Sequence, residues 1–315
     1  MLTVLFATRN RADILRDVLE EYCHLQPPSS GWKLVVVDNG STDHTAEVIA
    51  SFVDRLPLHF MVEPRLGKNF ALNTGLELVE GDLTALTDDD AFPHTDWLLQ
   101  LRKAADDHPA YSMFGGTIVA RWEVPPPSWI QWLDVGPIFT ITPPSMKEGE
   151  LTFVALVQGP NMAIRASVFQ SGIRFDTCIG PRGSSYPMGS ETEMLLRLSR
   201  QGHKAWHVQG AVVEHFVRKE QLNKTWILQR AIRYGRGWYR MAPASKLWVG
   251  VPRHLFVNIA KEGLFMCAAC VLFKRRALLR SRWRFNYLRG QVIEARILAR
   301  ERSARGQSAC TQVLH

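Results

Sequence analysis

The sequence of 315 residues is poor in cysteine, with five residues that follow no regular disulfide spacing. An odd number of scattered cysteines is not typical of a secreted, disulfide-stabilised protein. Cys267 and Cys270 form a C-x-x-C pair within an apolar stretch, but no second Cys/His pair stands nearby at zinc spacing. We therefore interpret that stretch as a helix without a metal or redox role, and a reducing cytosol fits the cysteine content best.

Long uncharged apolar runs are also missing. The longest one in the C-terminal part, residues 263–273, is closed by Lys274, Arg275 and Arg276, and it is shorter than the roughly 20 residues that a membrane-spanning helix needs. The first eight residues have neither the basic region nor the apolar length of a signal peptide. We expect a cytoplasmic protein that does not span the membrane.

Glycine-rich phosphate loops are the third absence. Neither G-x-G-x-x-G nor G-x-x-x-x-G-K-[ST] follows any predicted strand, which argues against a dinucleotide dehydrogenase and against a P-loop enzyme. If a phosphate group binds to this chain, a cation must screen its charge, because no glycine loop is available to do so.

The charge is distributed unevenly along the chain. Residues 1–215 carry 17 basic and 26 acidic side chains, a net charge of −9, whereas residues 216–315 carry 21 basic and 4 acidic ones, a net charge of +17. Such asymmetry suggests that the two parts meet different partners. We predict one domain over residues 1–217 and a basic, mainly helical C-terminal region over residues 218–315.

Strand and helix signals alternate in the first half of the chain. Apolar strands are predicted over residues 3–7, 33–38, 58–62, 83–87 and 113–120, with amphipathic helices between them. This alternation is typical of an α/β fold with a mostly parallel sheet covered on both faces. Ligands bind at the carboxyl ends of such strands, where this sequence places Thr8, Asp38 and the run Asp88-Asp89-Asp90.

Residues 122–146 are rich in tryptophan and proline and form a long connection. Long irregular loops in compact domains are usually functional or disordered, and the tryptophans argue against disorder. Trp122, Trp129 and Trp132 either stack on the rings of a bound ligand or pack within the loop. Further predicted elements are a strand over residues 152–157, a helix over residues 191–200 and a strand near residues 205–213.

Seven short motifs occur in one order over residues 1–217, about two-thirds of the chain. They read TRNR at 8–11, VDNGSTD at 37–43, GKNFALN at 67–73, TDDD at 87–90, GPNMAIR at 159–165, GSETEMLLRL at 189–198 and VEH at 213–215. In this order they resemble a family 2 glycosyltransferase with the GT-A fold. The resemblance implies a GT-A sheet flanked by helices, a nucleotide-diphosphate sugar donor, with a UDP-sugar expected first, and a divalent cation, Mg²⁺ or Mn²⁺.

The resemblance assigns the acidic run to metal and donor binding. Three adjacent carboxylates raise one another's pKa values unless a cation lies among them, and Mg²⁺ and Mn²⁺ prefer carboxylate and phosphate oxygens. Asp88 and Asp90 match the pattern of the metal site, with Asp90 expected as the direct ligand. His215 matches the family's terminal metal-binding histidine, and Asp89 is expected to reach the donor ribose or sugar. The alternative for the acidic run is a solvated turn, and for His215 a structural histidine.

Four further residues are expected to line the donor pocket. The resemblance gives Asp38 as an acceptor of hydrogen bonds from the donor base or ribose, although a turn residue bound to its own backbone is the alternative. Thr8 and Asn10 are expected in the same pocket, and Lys68 at phosphate or base-edge groups. Asn10 fits the N-cap of the first helix equally well.

Glu191 is the expected general base, which takes the proton of the acceptor hydroxyl as that oxygen attacks the sugar. The family usually has a Glu-Asp pair at this helix start, whereas this chain has Ser190-Glu191. An acid that favours the positive end of a helix dipole is the alternative. The departure also leaves open an inactive, glycosyltransferase-like adaptor, while a sugar-nucleotide pyrophosphorylase would have a glycine-rich loop after the first strand.

The basic C-terminal region combines arginine and lysine with large apolar residues. Such helices lie in membrane interfaces and are attracted to anionic lipids. We expect a peripheral position on the inner face of the membrane and a carbohydrate or lipid-linked acceptor. Nucleic acid attracts the same residues but is not the expected partner, and packing on the acidic part or on a second copy in a homo-oligomer is a further option.

Overall fold

The computed structural model describes residues 1–183, 185–244 and 246–312, with side chains up to residue 302. The chain forms two compact units. Unit 1 comprises Met1–Val124, Phe139–Gly183 and Ser190–Arg218, and unit 2 comprises Pro125–Ile138, Ser184–Gly189 and Lys219–His315. Two short segments that precede residue 217 therefore group with the C-terminal helices. The last three residues of the predicted C-terminal region lie outside the described residues.

The described residues of unit 1 contain one nine-stranded sheet. Its strands are β1 (Leu2–Thr8), β2 (Trp32–Asp38), β3 (Leu58–Val62), β4 (Leu83–Leu86), β5 (Ala91–Pro93), β6 (Met113–Trp122), β7 (Gly149–Leu151), β8 (Met162–Arg165) and β9 (Ala205–Val217). Their order is β3-β2-β1-β4-β8-β6-β9-β5, with β7 paired to β9. The ladders β1/β2, β2/β3, β1/β4 and β6/β9 are parallel and the other four are short and antiparallel. The predicted α/β fold with a mostly parallel sheet is confirmed.

Ten α-helices are present in the described part of the chain. They are α1 (Ala12–Cys23), α2 (Thr45–Ala50), α3 (Lys68–Gly75), α4 (Trp97–Asp107), α5 (Val135–Phe139), α6 (Ala166–Gln170), α7 (Ser190–Arg200), α8 (Lys224–Met241), α9 (Arg253–Val271) and α10 (Arg275–Gln312). Alternate residues of the strands face opposite sides of the sheet. Val4 packs into the apolar core that also contains α1, α2 and α4, whereas Leu5 packs into the one that contains α3 and α7.

Unit 2 is helical around α8, α9 and α10. Helices α8 and α10 approach closely at two glycines, since a Cβ on Gly235 would lie 1.9 Å from the Tyr287 carbonyl oxygen and one on Gly290 would lie 2.1 Å from that of Ile232. The carboxylate of Glu294, fully buried, accepts hydrogen bonds from Arg236 and Arg240. The mainly helical character predicted for the C-terminal region is confirmed.

The prediction of a strand over residues 152–157 is wrong. Residues Val154–Leu156 form a 3₁₀ turn. In and beside this turn Val154 and Val157 are buried, whereas Phe153 and Leu156 are exposed. Burial at i and i+3 follows the period of a 3₁₀ helix rather than that of a strand. The short strands β5, β7 and β8 were not predicted, because three or four residues carry too little pattern.

One helix in the described residues, α9, is long and apolar enough by length and composition to cross a membrane. Its sequence contains no long uncharged run, because Lys261 and Glu262 lie near the middle of the helix. Leu255 and Ala269 of α9 are buried in unit 2, but most of the helix is exposed.

Candidate functional site

The carboxyl ends of three adjacent parallel strands bring the predicted residues together. Thr8 ends β1 and lies opposite Asp38, which ends β2, while the acidic run follows β4 on the other side of β1. These ends are polar and yet buried, since Thr8, Asp38 and Asp90 have at most 9% of their surface exposed. A cluster of buried polar groups at this edge of an α/β sheet is typical of a ligand site.

Asp38 closes a turn within its own loop, and Asn10 joins that loop to the one that follows β1. Oδ1 of Asp38 accepts hydrogen bonds from the backbone N and the hydroxyl of Ser41, at 2.9 and 2.5 Å. Asn10 has a left-handed backbone with φ of 51°, and its Oδ1 accepts from the Thr42 N–H at 2.8 Å. The N-cap of α1 is Arg11, so the N-cap alternative for Asn10 is wrong.

Lys68, the first residue of α3, joins two carboxylates from distant parts of the chain. Its Nζ donates to Oδ1 of Asp88 at 2.5 Å and to Oε1 of Glu191 at 2.6 Å. Less than a quarter of each of these three side chains is exposed. The predicted metal residue Asp88 is therefore paired with an ammonium group in this structure.

The charges in this group fix its protonation at neutral pH. Burial opposes the charged form of Lys68, but the carboxylates of Asp88 and Glu191 outweigh it and raise the pKa of the ammonium group above its usual value. Burial likewise opposes ionisation of Glu191, but Lys68 lowers the pKa of that carboxyl below its usual value. Glu191 is therefore a carboxylate, the form that accepts a proton.

Gly159 leaves the space that the Glu191 side chain occupies. A Cβ built at this position would lie 2.8 Å from the Cδ of Glu191 and 2.9 Å from its Oε1. The loop around Gly159 therefore sets the position of the carboxylate, because any larger residue would displace it.

Asp89 contacts both the last residue of β1 and the loop that follows this strand. The hydroxyl of Thr8 donates to its Oδ2 at 2.8 Å, and the Nε atom of Arg11 lies 3.8 Å from the same oxygen. Burial and the adjacent carboxylate of Asp90 raise the pKa of Asp89 to about 7. Asp89 consequently carries a proton in a substantial fraction of molecules at neutral pH.

Asp90 faces three basic side chains. The Nε2 atom of His215 on β9 lies 3.5 Å from its Oδ1, and Arg218 donates to its Oδ2 at 3.2 Å. Arg11 lies 3.8 Å from that second oxygen. Burial opposes ionisation, but His215, Arg11 and Lys68 hold the pKa of Asp90 below its usual value. In turn Asp90 raises the pKa of His215 despite the burial of the imidazole.

The pair formed by Asp90 and His215 has the chemistry of a partial metal site. Nδ1 of His215 lies 2.6 Å from the carbonyl oxygen of Phe139, so a proton on Nδ1 directs Nε2 towards Asp90. The second ring nitrogen of a metal-binding histidine commonly donates to a backbone carbonyl in this way, which orients the ring. The residues fit a hard cation that takes its remaining oxygen ligands from a diphosphate. No group of three or more His, Cys, Asp or Glu side chains that could hold a metal is present in the described residues.

Three residues of this site were not assigned from the sequence. Arg11 lies in the first motif, but its contact with Asp89 and Asp90 depends on the fold. Arg218 follows His215 by three positions, just beyond the end of β9. Gly159 is the first residue of the motif at 159–165, but its contact with Glu191 depends on the fold. Of the three tryptophans, Trp122 packs edge-on against Phe139 at 5.4 Å between ring centroids, and Trp129 and Trp132 belong to unit 2.

Comparison with known proteins shows the family and the fold of this chain. The sequence model described as "Glycosyl transferase family 2" matches residues 3–172. The glucosyl-dolichyl phosphate glucuronosyltransferase of Haloferax volcanii is 27% identical over 210 residues, which are 64% of this chain and 65% of that protein. A beta-monoglucosyldiacylglycerol synthase of Nostoc is 29% identical over 104 residues, 32% of this chain and 22% of that protein. The chain thus spans less than two-thirds of these relatives.

Two solved structures share the fold. The mannosyltransferase PcManGT from Pyrobaculum calidifontis, in complex with GDP-Man and Mn²⁺, has a TM-score of 0.64 and 20% identity, and the match covers 93% of this chain and 86% of that one. TarS of S. aureus, in complex with UDP-GlcNAc, has a TM-score of 0.53 and 14% identity, with 97% and 92% covered. Both likenesses show the same fold.

Proposed function

Because the chain belongs to glycosyl transferase family 2, we propose that it is a metal-dependent, inverting glycosyltransferase that moves a sugar from a nucleotide-diphosphate sugar to a hydroxyl acceptor. The observation that carries this proposal is the buried group in which Lys68 joins Asp88 to Glu191. The pair of Asp90 and His215 belongs to the same strand-end site. A carboxylate base and a set of cation ligands are the two components that this reaction needs.

Glu191 is proposed to act as the general base. Its carboxylate form, maintained by Lys68, would take the proton of the acceptor hydroxyl as the acceptor oxygen attacks the anomeric carbon. The bond from that carbon to the diphosphate oxygen breaks on the opposite face, which inverts the configuration. Gly159 leaves the space that this carboxylate occupies, and a side chain at residue 159 would displace it.

Asp90 and His215 are proposed to hold the divalent cation, Mg²⁺ or Mn²⁺. The cation would act as a Lewis acid that stabilises the negative charge on the departing nucleoside diphosphate. Lys68 lies next to this site, and its ammonium group would exchange a carboxylate partner for a diphosphate oxygen when the donor binds. Asp88 would then be released for a contact with the cation, as its motif implies.

The donor base and ribose are proposed to contact Thr8, Asn10, Asp38 and Asp89. Asp38 uses only Oδ1 in the hydrogen bonds to Ser41, so its second oxygen can accept from a base or ribose group. A UDP-sugar is the proposed donor. GDP-sugars are the second class of donor to test, because the structure of PcManGT is a complex with GDP-Man.

The acceptor is proposed to be a glycan or a lipid-linked hydroxyl compound at the cytoplasmic face of a membrane. The relatives named for dolichyl phosphate and diacylglycerol substrates support a lipid-linked acceptor, and the charge of +17 over residues 216–315 supports a position at an anionic surface.

The test is a screen of UDP- and GDP-sugars for hydrolysis and transfer, with Mg²⁺ or Mn²⁺ and with or without membrane extract. We expect one nucleotide sugar to be turned over only when a divalent cation is present. Calorimetry measures binding of the same donors. If the chain binds none of them with either metal, the proposal is wrong and the chain is the inactive adaptor.

A further inference from the structure

The corner between α9 and α10 in unit 2 carries an unusually exposed apolar surface. Its members, called here the apolar ridge, are Leu264, Phe265, Val271, Leu272 and Phe273, which are 60–89% exposed. Adjacent large apolar residues with this degree of exposure usually mark a binding surface.

Phe273 at this corner adopts a strained backbone conformation. Its φ is 52°, in the left-handed region that glycine adopts at the ends of helices and that other residues rarely enter. The N–H of Lys274 donates to the Ala269 carbonyl, which closes the end of α9. The chain therefore keeps a phenylalanine, 89% exposed, at a position where glycine would be more stable, and such strain often accompanies a functional contact.

A basic cavity of about 550 Å³ lies beside the apolar ridge. Its lining includes five cationic side chains: Lys274, Arg275, Arg276, Arg280 and Arg284. Arg284 lies 3.8 Å from Glu262, and Arg280 donates to the Trp132 carbonyl oxygen. No ion pair joins Lys274, Arg275 or Arg276 to a carboxylate in the part of the chain that the structure describes, and all three are exposed.

We propose that this corner is a phospholipid-binding site, in which the basic cavity takes an anionic lipid headgroup while the apolar ridge enters the adjacent acyl region of the membrane. The inference rests on the proposed membrane position and specifies the residues that produce it. An amphipathic lipid has both parts that this surface matches, a phosphate and an apolar chain.

A nucleic acid or a second copy of the chain would match either the basic cavity or the apolar ridge, but not both. A nucleic acid would engage the cationic cavity but has no use for five exposed apolar side chains. A second copy of the chain could cover the apolar ridge, but a two-fold contact would bring two sets of cationic side chains together. A fully spanning α9 would place Lys261 and Glu262 near the centre of the bilayer, where charged residues are strongly disfavoured.

The experiment is flotation of the full chain with vesicles of phosphatidylcholine alone or of phosphatidylcholine mixed with phosphatidylglycerol, without donor or metal. Wild type is expected to float with the mixed vesicles. Phe273→Gly should weaken flotation about tenfold without lowering the melting temperature, because glycine relieves the strained φ. The triple variant Lys274→Gln, Arg275→Gln and Arg276→Gln should weaken binding to mixed vesicles about 100-fold, at roughly fivefold per charge.

Matched controls separate this inference from the proposed function. Lys103→Gln, Lys147→Gln and Lys204→Gln remove three exposed charges from unit 1 and should float as wild type does. Phe273→Gly should hydrolyse the nucleotide sugar in solution at the wild-type rate. Because flotation is measured without donor or metal, a wild-type chain that fails to turn over any nucleotide sugar would contradict the proposed function but not the lipid site.

Three outcomes would overturn the proposal. Equal flotation with both vesicle types, unchanged by either corner variant, would exclude a phospholipid site. Unchanged flotation combined with conversion of a dimer to a monomer by Phe273→Gly would identify a second copy as the occupant. Loss of duplex DNA binding in the triple variant, with flotation unchanged, would identify a nucleic-acid surface.

Discussion

Lys68 and Glu191 are joined by a hydrogen bond of 2.6 Å between Nζ and Oε1, although 123 positions separate them in sequence. The first residue of α3 thus controls the ionisation of the proposed general base on α7. Because the same ammonium group also binds Asp88, the proposed base and the acidic strand end share one cation.

Substitution of Lys68 should shift the pH dependence of turnover. Lys68 lowers the pKa of Glu191, so activity that needs the carboxylate form is retained until the pH falls well below neutrality. In Lys68→Met only a backbone hydrogen bond still opposes the effect of burial on Glu191, so its pKa rises and the acidic limb of the kcat profile should move up by about 1–3 pH units. The measurement is kcat against pH at saturating donor and metal.

The control for that profile is Lys103→Met, which removes an exposed lysine paired with Asp107 within α4. It should reproduce the wild-type profile. An acidic limb that does not move in Lys68→Met would show that Lys68 does not control the base.

A side chain at residue 159 should reduce turnover. In Gly159→Ala the new Cβ would lie 2.8 Å from the Cδ of Glu191, so the carboxylate must move away from its position. A displacement of roughly 1 Å can lower the rate of a reaction about 100-fold. We therefore expect kcat to fall by about this factor, while the KM for the donor stays unchanged. Gly263→Ala, where no atom lies within 4 Å of the added Cβ, is the control, and equal kinetics of the two variants would contradict the assignment.

Glu63 should contribute to stability in a pH-dependent way. Its buried carboxylate accepts hydrogen bonds from Arg65 and from the hydroxyl of Thr74, which lower its pKa to about 2. A lowered pKa stabilises the fold above about pH 4.5, and this stabilisation is lost as the pH falls towards 2. Because Arg65 is largely exposed, we expect Glu63→Gln to reduce the free energy of unfolding by only about 1–2 kcal/mol at pH 7.

Urea unfolding at pH 7 and near pH 3 measures this effect, and the difference between wild type and Glu63→Gln should shrink at the lower pH. The control is Glu20→Gln, which breaks a two-bond contact with Arg55 at an exposed position and should leave the midpoint unchanged. A difference for Glu63→Gln that stays constant over this range would contradict the linkage.

The role of the Thr8 hydroxyl in donor binding can be tested with substitutions that preserve the fold. Thr8→Ser keeps the hydroxyl that donates to Asp89, whereas Thr8→Val keeps the shape without it. We expect Thr8→Val to raise the KM for the nucleotide sugar several-fold and Thr8→Ser to behave as wild type. The same KM in both variants would show that the hydroxyl has no role in the donor site.

The sequence was sufficient to predict the strand ends because each is preceded by a continuous apolar run. Parallel pairing of β1 with β2 and β4 then requires Thr8, Asp38 and the acidic run to meet. The contact between Lys68 and Glu191 could not be predicted in this way, since it depends on the placement of α7 against α3 rather than on any local pattern. The position of Gly159 beside Glu191 is unpredictable for the same reason.

Short and interrupted patterns account for the remaining differences. Val154 and Val157 are apolar residues in an apolar stretch, and only burial at a spacing of three distinguishes their turn from a strand. In α9 the charged pair Lys261 and Glu262 divides an otherwise apolar helix, so a count of uncharged residues underestimates its length. The exposed Phe273 is visible only once its backbone conformation is known.

The central claim is that Asp90 binds the divalent cation that makes donor turnover possible. The most direct measurement is the rate of nucleotide-sugar turnover in Mn²⁺ by Asp90→Ala, beside wild type and a folded control such as Asp54→Ala. We expect Asp90→Ala to lose turnover at every Mn²⁺ concentration and Asp54→Ala to retain it. Full turnover by Asp90→Ala in Mn²⁺ would contradict the proposed metal-dependent mechanism.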